Sequence, residues 1–358
     1  MYIRRLELKN YTSFDSLQLD FSPNINIISG ENNIGKTNII KALYSTTRTI
    51  DDIQTENEKP GLPPVTREKM GEMLARKLVG VYRPDYVGRL ARRTTGRAHA
   101  SFRIIFNNDN RFVVSFDSSA KKSVSIGGSI QRLLNSPLKS VYIPPKEIIS
   151  AAENFAALYE RYHIAFEETY YDLNRLLLLP AKKGPTNTRQ KKLLKKLEML
   201  AEGKVVLQQN GRFYLKAKGI GNIEMGLVAE GYRKLSTLLY LISNESLTEH
   251  SILFWDEPET NCNPQMISPL VEIMIELARI GVQVFICTHS YFLQQEFSLY
   301  SEYKAEREKL DIKFFSLYKQ DGNITAESGS TLAELEHNTI MQEFNELYNK
   351  EQELFYAD

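Results

Sequence analysis

The segment Ile28 to Leu43, ISGENNIGKTNIIKAL, constrains the fold more than any other stretch of the chain. Gly30 and Gly35 bracket a Gly-x-x-x-x-Gly-Lys-Thr loop, in which glycines let backbone N–H groups turn inward around an anion. In such a loop Lys36 reaches the β and γ phosphates of a nucleotide and Thr37 offers its hydroxyl to Mg²⁺. The chemistry requires a strand before the loop and a helix after it. Upstream, NINIIS (Asn24 to Ser29) is a run of β-branched apolar residues that predicts a short buried strand. Downstream, Ile39, Ile40, Leu43 and Tyr44 recur at helical spacing, which points the positive end of a helix at the same anion. Together these imply a nucleotide site and a search for its other half.

That half is SILFWDE, Ser251 to Glu257, in which apolar residues run into two acids. A buried strand ending in a carboxylate supplies what Mg²⁺ needs beside a phosphate loop, so Asp256 is the candidate metal partner. Glu257 is then placed to orient or deprotonate an attacking water. One helix later, Gly281 leads into the apolar strand VQVFIC and then Thr288-His289-Ser290. Helix, strand and polar switch give the rhythm of a parallel doubly wound sheet, whose ligands lie off the strand C-termini and so near His289. The remaining histidines, His99, His163, His250 and His337, have no zinc-ligand spacing.

Composition sets the class. The chain has 358 residues, 42% hydrophobic and 25% charged, enough for a large core. Its longest apolar runs, LLYLI and VQVFIC, fall far short of the roughly 20 residues of a membrane helix, so no membrane partner is expected. The opening IRRLELKN reads as a strand rather than a signal peptide, and two cysteines, Cys262 and Cys287, suit a reducing cytoplasm. Net charge is +1. Basic residues nevertheless cluster at Arg89, Arg92, Arg93 and Arg97 and along Lys182, Lys183, Arg189, Lys191, Lys192, Lys195 and Lys196. Such a lobe serves either as a DNA contact or as a solvated helix face.

GENNIGKT, WDEPE and CTHS in this order resemble the soluble ABC-type ATPases of the RecF, SMC and OLD (overcoming lysogenization defect) class. The resemblance implies an α/β fold: an ATPase head with a mixed, largely parallel core sheet, an antiparallel β lobe and an inserted helical lobe. It implies ATP and Mg²⁺ as ligands, held by Gly30, Asn32, Asn33, Gly35, Lys36, Thr37 and Asn38, with Thr37 and Asp256 at the metal. Lys36, Glu257 and His289 are the implied catalytic residues. Two subunits of this class sandwich two ATPs, each site completed by a signature segment of the partner, here Ala229, Gly231 and Arg233 in GLVAEGYRKLSTLLYLI. Three departures stand out. Ala229 replaces the usual serine, Lys146 or Glu147 stands near the place of a glutamine, and Cys262 replaces an aliphatic residue. With Ala229 in place, Arg233, Lys234 or backbone N–H groups would have to serve the partner's nucleotide.

The expected division is an N-terminal ATPase lobe (1–145), an inserted helical lobe (146–203), a C-terminal ATPase lobe (204–330) and a terminal helix (331–358). Within the first, the loop helix is expected to end near Thr47, and 51–64 reads as a polar, Pro-rich loop. The insertion is too short for an SMC coiled coil, and no nuclease constellation follows His289. The expected function is therefore a slow, dimerising ATPase that controls a separately encoded effector, a nuclease or toxin, in bacterial anti-phage defence. A nucleotide-locked scaffold and a RecF-like DNA repair ATPase are the alternatives. Leu332, Leu335, Ile340, Phe344, Leu347 and Tyr348 make the terminal helix either a docking surface or part of the core.

Overall fold

The structure, a computed structural model, describes residues 1–61, 63–93, 95–162, 164–182 and 188–356. His163 and Lys183 fall outside the described residues.

Strands β1 (Ile3–Tyr11) and β2 (Phe14–Asp20) pair antiparallel, and β3 (Ile25–Gly30) leads through the glycine loop into α1 (Lys36–Asn57). Then come α2 (Arg67–Tyr82), β4 (His99–Phe106), β5 (Arg111–Asp117), β6 (Ser125–Gly128), the short α3 (Ile130–Leu134) and β7 (Lys139–Ile143). Three helices follow: α4 (Phe155–Tyr162), α5 (Glu168–Leu177) and α6 (Thr188–Leu200). A meander of β8 (Gly203–Leu207), β9 (Phe213–Ala217) and β10 (Gly221–Glu224) precedes α7 (Glu230–Ser243) and β11 (Ser251–Asp256). Next are α8 (Ile267–Arg279), β12 (Gln283–Cys287), α9 (Tyr291–Tyr300) and the short α10 (Glu306–Glu308). The pair β13 (Ile312–Gln320) and β14 (Asn323–Gly329) and the helix α11 (Thr339–Phe355) come last.

The central sheet has the order β14-β13-β3-β12-β11-β7, parallel from β13 to β7 with β14 antiparallel at one edge. Its inner strands are continuous apolar runs because both faces are covered. Alternation then sorts their side chains into two cores. Ile27, Leu253, Trp255, Val284 and Ile286 face one, with α7 and α8; Ile28, Phe254, Phe285 and Cys287 face the other, with α1 and the five-stranded sheet β2-β1-β4-β5-β6. The architecture is the mixed, largely parallel head with an antiparallel lobe and a helical insertion that the motifs imply.

Three boundaries differ from the sequence reading. Helix α1 runs to Asn57, well past Thr47, so Asp51 to Asn57 is helical rather than a loop. Ile50 and Ile53 are buried, and Arg48 reaches Asp51 and Asp52 at 3.1 Å each across one helical turn, which offsets the acidic run. KVVLQQNGRFYLKA, Lys204 to Ala217, reads in sequence as a hairpin turning on Asn210-Gly211, and the structure adds a third strand to it, β10. The terminal helix starts at Thr339, where Asn338 caps it by accepting from the N–H groups of Ile340 and Met341. Leu332 and Leu335 enter the core before it, whereas Leu347 and Tyr348 stay exposed.

Helix α1 is held from behind by charge. Lys77 of α2 donates to Glu168 (2.5 Å) and Asp172 (3.0 Å) of α5, and the Tyr44 hydroxyl donates to Asp172 (2.7 Å). Lys41 pairs with Glu167 at 2.6 Å. The helical insertion is thereby attached to the helix that follows the phosphate loop.

Candidate functional site

Parallel register brings the three motifs together. Asp256 stands opposite Cys287, and Cys287 opposite Ile28, so the C-terminal ends of β11, β12 and β3 lie at one level. The backbone turns there are linked: the Glu257 N–H donates to the Cys287 carbonyl (2.9 Å) and the Thr288 N–H to the Ile28 carbonyl (3.1 Å).

The loop has the backbone its glycines permit. Gly30 and Gly35 have φ of 142° and 105°, and Asn33 sits at 62°. A Cβ at Gly30 would lie 2.5 Å from the Leu317 carbonyl, so the first glycine is required for packing as well as for conformation. Asn32 and Asn33 are exposed at the loop's crest, and the Asn38 carbonyl accepts from the Tyr82 hydroxyl. Gly35 caps α1 without a side-chain acceptor, and no acid of the helix itself lies in its first turn, which leaves the first N–H groups for an anion. The Lys36 ammonium rests on the carbonyls of Gly30 (2.9 Å) and Glu31 (2.8 Å). Burial pulls its pKa down, against the field of Cys287, Glu257, Asp256 and Glu259.

Thr37 Oγ1 donates to Asp256 Oδ1 at 3.2 Å, and the Tyr142 hydroxyl donates to Asp256 Oδ2 at 3.0 Å. A hydroxyl and a carboxylate are hard oxygen donors of the kind Mg²⁺ takes, so the pair fits that ion. Burial pushes the Asp256 carboxyl up to about 6, although the hydrogen bonds from Tyr142 and Thr37 and the charge of Lys41 oppose the shift. Because the folded value lies above the ordinary 3.8, ionising this group costs the metal-free protein stability as pH rises from about 4 to 6. A metal must also displace the proton below about pH 6. Mg²⁺ titrations of the nucleotide-bound protein are expected to give about tenfold weaker apparent affinity at pH 5 than at pH 7, and little change above that. Equal affinities at both values would remove Asp256 from the metal.

Glu257 has a φ of 47°, a left-handed turn that carries its carboxylate away from the strand. Its Oε2 accepts from the Thr260 hydroxyl (3.0 Å), and its Oε1 lies 3.6 Å from His289 Nε2. His289 is held below its usual pKa by burial and by Lys36, with Glu257 pulling the other way. Beside it sits a residue the sequence reading passed over. Glu259 Oε1 accepts from the Thr288 hydroxyl (2.6 Å) and from the N–H groups of His289 (2.9 Å) and Ser290 (3.2 Å), fixing the turn that presents His289.

The signature segment is bonded within its own chain. Ala229 caps α7 with no side-chain acceptor, and the buried Gly231 lies against Cys262. Among the described residues neither shares a hydrogen bond with the phosphate loop. Arg233 bonds within its own chain, to Glu147 (2.7 Å) and to the carbonyls of Val228 and Gly226 (2.5 and 2.7 Å). Glu147, near the expected glutamine position, is thus the partner of the signature arginine. Lys234 cannot reach outward as expected, because its ammonium donates to the carbonyls of Glu257 (3.3 Å), Pro258 (3.3 Å) and Thr260 (2.6 Å) and is almost fully buried. Tyr142 and Glu259 are therefore the site residues that motif spacing missed, and Lys234, read as serving a partner's nucleotide, is bonded instead to the turn after the acid strand. Each left a trace: a hydroxyl inside an apolar strand, a third acid in DEPE, and a lysine on the apolar face of a helix.

A family model described as "AAA domain, putative AbiEii toxin, Type IV TA system" matches residues 25–293. Over 44 residues the chain is 52% identical to the DNA replication and repair protein RecF of Halalkalibacterium halodurans. It is 48% identical over 44 residues to RecF of Lactococcus lactis subsp. cremoris, strain MG1363. Each match covers 12% of this chain and 12% of the relative, a small part of those relatives' length. An SMC head bound to the C-winged helix domain of ScpA aligns with a TM-score of 0.53 at 13% identity, over 93% of this chain and 99% of that one. An SMC head domain with an extended coiled coil, bound to the C-terminal domain of ScpA derived from Pyrococcus furiosus, aligns with a TM-score of 0.50 at 13% identity, over 97% and 99%. At such identity the likeness is one of fold.

Proposed function

We propose a function from one premise: the chain belongs to the AAA domain family matched over residues 25–293 and is an ATPase of the RecF and SMC class. It binds ATP at the Gly30 to Asn38 loop, hydrolyses it slowly, dimerises around nucleotide and controls a separately encoded effector in anti-phage defence. The observation that carries the nucleotide chemistry is the meeting of Lys36, Thr37, Asp256, Glu257 and His289 at one sheet edge, with Thr37 3.2 Å from Asp256. Mg²⁺ held there by Thr37 and Asp256 would neutralise charge on the phosphate oxygens. Lys36 and the first N–H groups of α1 bind the phosphates, Glu257 orients or deprotonates the attacking water, and His289 with Lys36 stabilises the charge that develops.

The effector reading draws its toxin–antitoxin setting from the family's printed description, which names a "putative AbiEii toxin" and a "Type IV TA system" but no separate effector. It is also supported by the attachment of the helical insertion to α1, which gives nucleotide occupancy a mechanical route to α5. No helix among the described residues is long and apolar enough to cross a membrane, in keeping with a cytoplasmic site of action. The similarity to RecF and the lysines of α6 favour a second reading, a DNA repair ATPase.

Direct ATP-binding and phosphate-release assays separate these. The wild type is expected to bind and hydrolyse ATP with Mg²⁺, and Lys36→Ala to weaken nucleotide binding by about a hundredfold, as loss of two charge-assisted contacts implies. Binding without hydrolysis under any condition would establish a nucleotide-locked scaffold instead, consistent with the missing hydroxyl at Ala229. Tight, salt-sensitive duplex binding with DNA-stimulated turnover would establish the repair reading.

A further inference from the structure

The terminal helix α11 contains no buried residue. Phe344 stacks on Tyr291 of α9 with ring centroids 4.3 Å apart, and beyond it Leu347, Tyr348, Leu354 and Phe355 are exposed, Phe355 to 74%. These side chains recur at three- and four-residue steps and form one apolar stripe. A helix of 17 residues with no buried face is marginal in water by itself, so the stripe marks an interaction surface. Its charge narrows the partner. Glu351 falls inside the stripe and Glu343 at its margin, while Lys350 is the helix's single cation. A surface that covers the stripe must therefore combine apolar area with cations.

The same chain carries such a surface. Helix α6 and the β9–β10 meander border an open groove of about 1030 Å³. Met199 and Ile220 line it and are 79% and 77% exposed, and around them the lysines Lys195, Lys204, Lys216 and Lys218 outnumber the acids Glu198 and Glu202. Lys204 faces Glu198 at 3.7 Å, but Lys195, Lys216 and Lys218 have no ion pair among the described residues. We infer that this groove receives the α11 helix of a second copy, with Phe355, Leu354 and Leu347 against Met199 and Ile220 and Glu351 and Glu343 among the lysines. The contact joins two unlike surfaces, so it either closes reciprocally into a twofold dimer or propagates head to tail into a ring or a filament. It uses no nucleotide, and its success or failure is independent of the ATPase reading.

The test is the solution mass of the full chain without nucleotide at low salt, at a concentration on the order of tens of micromolar. The wild type is expected to exceed the monomer mass. Two charge-reversed variants, Glu343→Lys/Glu351→Lys and Lys195→Glu/Lys218→Glu, are each expected to need more than about tenfold higher concentration to associate, because like charges then meet. Mixing the two variants restores association, since each reversed surface finds its complement on the other. Equal ATP binding by all three proteins shows that the variants are folded. A monomeric wild type, variants that associate as the wild type does, or a mixture that stays monomeric would each overturn the inference. So would a lysine variant that loses duplex DNA binding at unchanged mass, which would assign the groove to nucleic acid.

Discussion

Glu257→Gln is expected to lower ATP turnover by a factor of about 10²–10⁴ while leaving nucleotide affinity within a few-fold of the wild type. The substitution keeps the side chain's shape, and the amide can still accept from Thr260 and remain near His289, so only the basic lone pair is lost. Because hydrolysis then no longer releases the closed state, native mass measurement with ATP is expected to show a nucleotide-bound dimer that persists longer than in the wild type. Neighbouring acids are poor substitutes. Asp256 is held by Thr37 and Tyr142, and Glu259 by Thr288, His289 and Ser290. Turnover by Glu257→Gln at the wild-type rate would therefore remove the water-activating role from this strand end altogether.

The second large effect is structural. Asp172→Ala is expected to destabilise the protein by about 2–4 kcal/mol, read as a lower midpoint in denaturant, because it leaves the buried Tyr44 hydroxyl without its acceptor and the nearly buried Lys77 dependent on Glu168. Asp172 accepts from both Lys77 and Tyr44, and its side chain is only 3% exposed. Replacing the pair together, as Lys77→Met with Asp172→Leu, removes the two most buried charges and leaves Glu168, whose side chain is 20% exposed, to turn to water, so it is expected to recover part of the loss. If the single and double variants are equally unstable, packing rather than charge secures α5 to α1. The double variant has a further use, since it deletes the Tyr44–Asp172 link between loop helix and insertion while keeping the Lys41–Glu167 pair.

The phosphate loop, the acid strand and the Thr288-His289-Ser290 turn were legible in the sequence because each is a local chemical device. Glycine spacing, an apolar run ending in acid and a polar switch after a strand state their own context. Their convergence also followed, since parallel strands place their C-termini together. What stayed hidden depends on contacts between distant segments. Tyr142 reaches Asp256 only because β7 lies beside β11 in register, 114 positions apart in sequence. Arg233 is held by Glu147, 86 positions away, a contact that no local pattern states. The end of α1 was misjudged for the opposite reason. Asp51, Asp52 and Glu56 read as loop by composition, while the buried Ile50 and Ile53 and the Arg48 pairs keep the segment helical.

The Lys234 ammonium, bound to three carbonyls of the turn after the acid strand, makes α7 and that turn a single moving part. The face that would meet a partner's nucleotide cannot shift without shifting the backbone that carries Glu257 in its own site. Two such subunits closed around two ATPs would thus transmit occupancy from one site to the other, and turnover would depend sigmoidally on ATP concentration. Lys234→Met, which keeps the stem and removes the three bonds, would flatten that dependence toward a simple hyperbola and leave two sites firing independently.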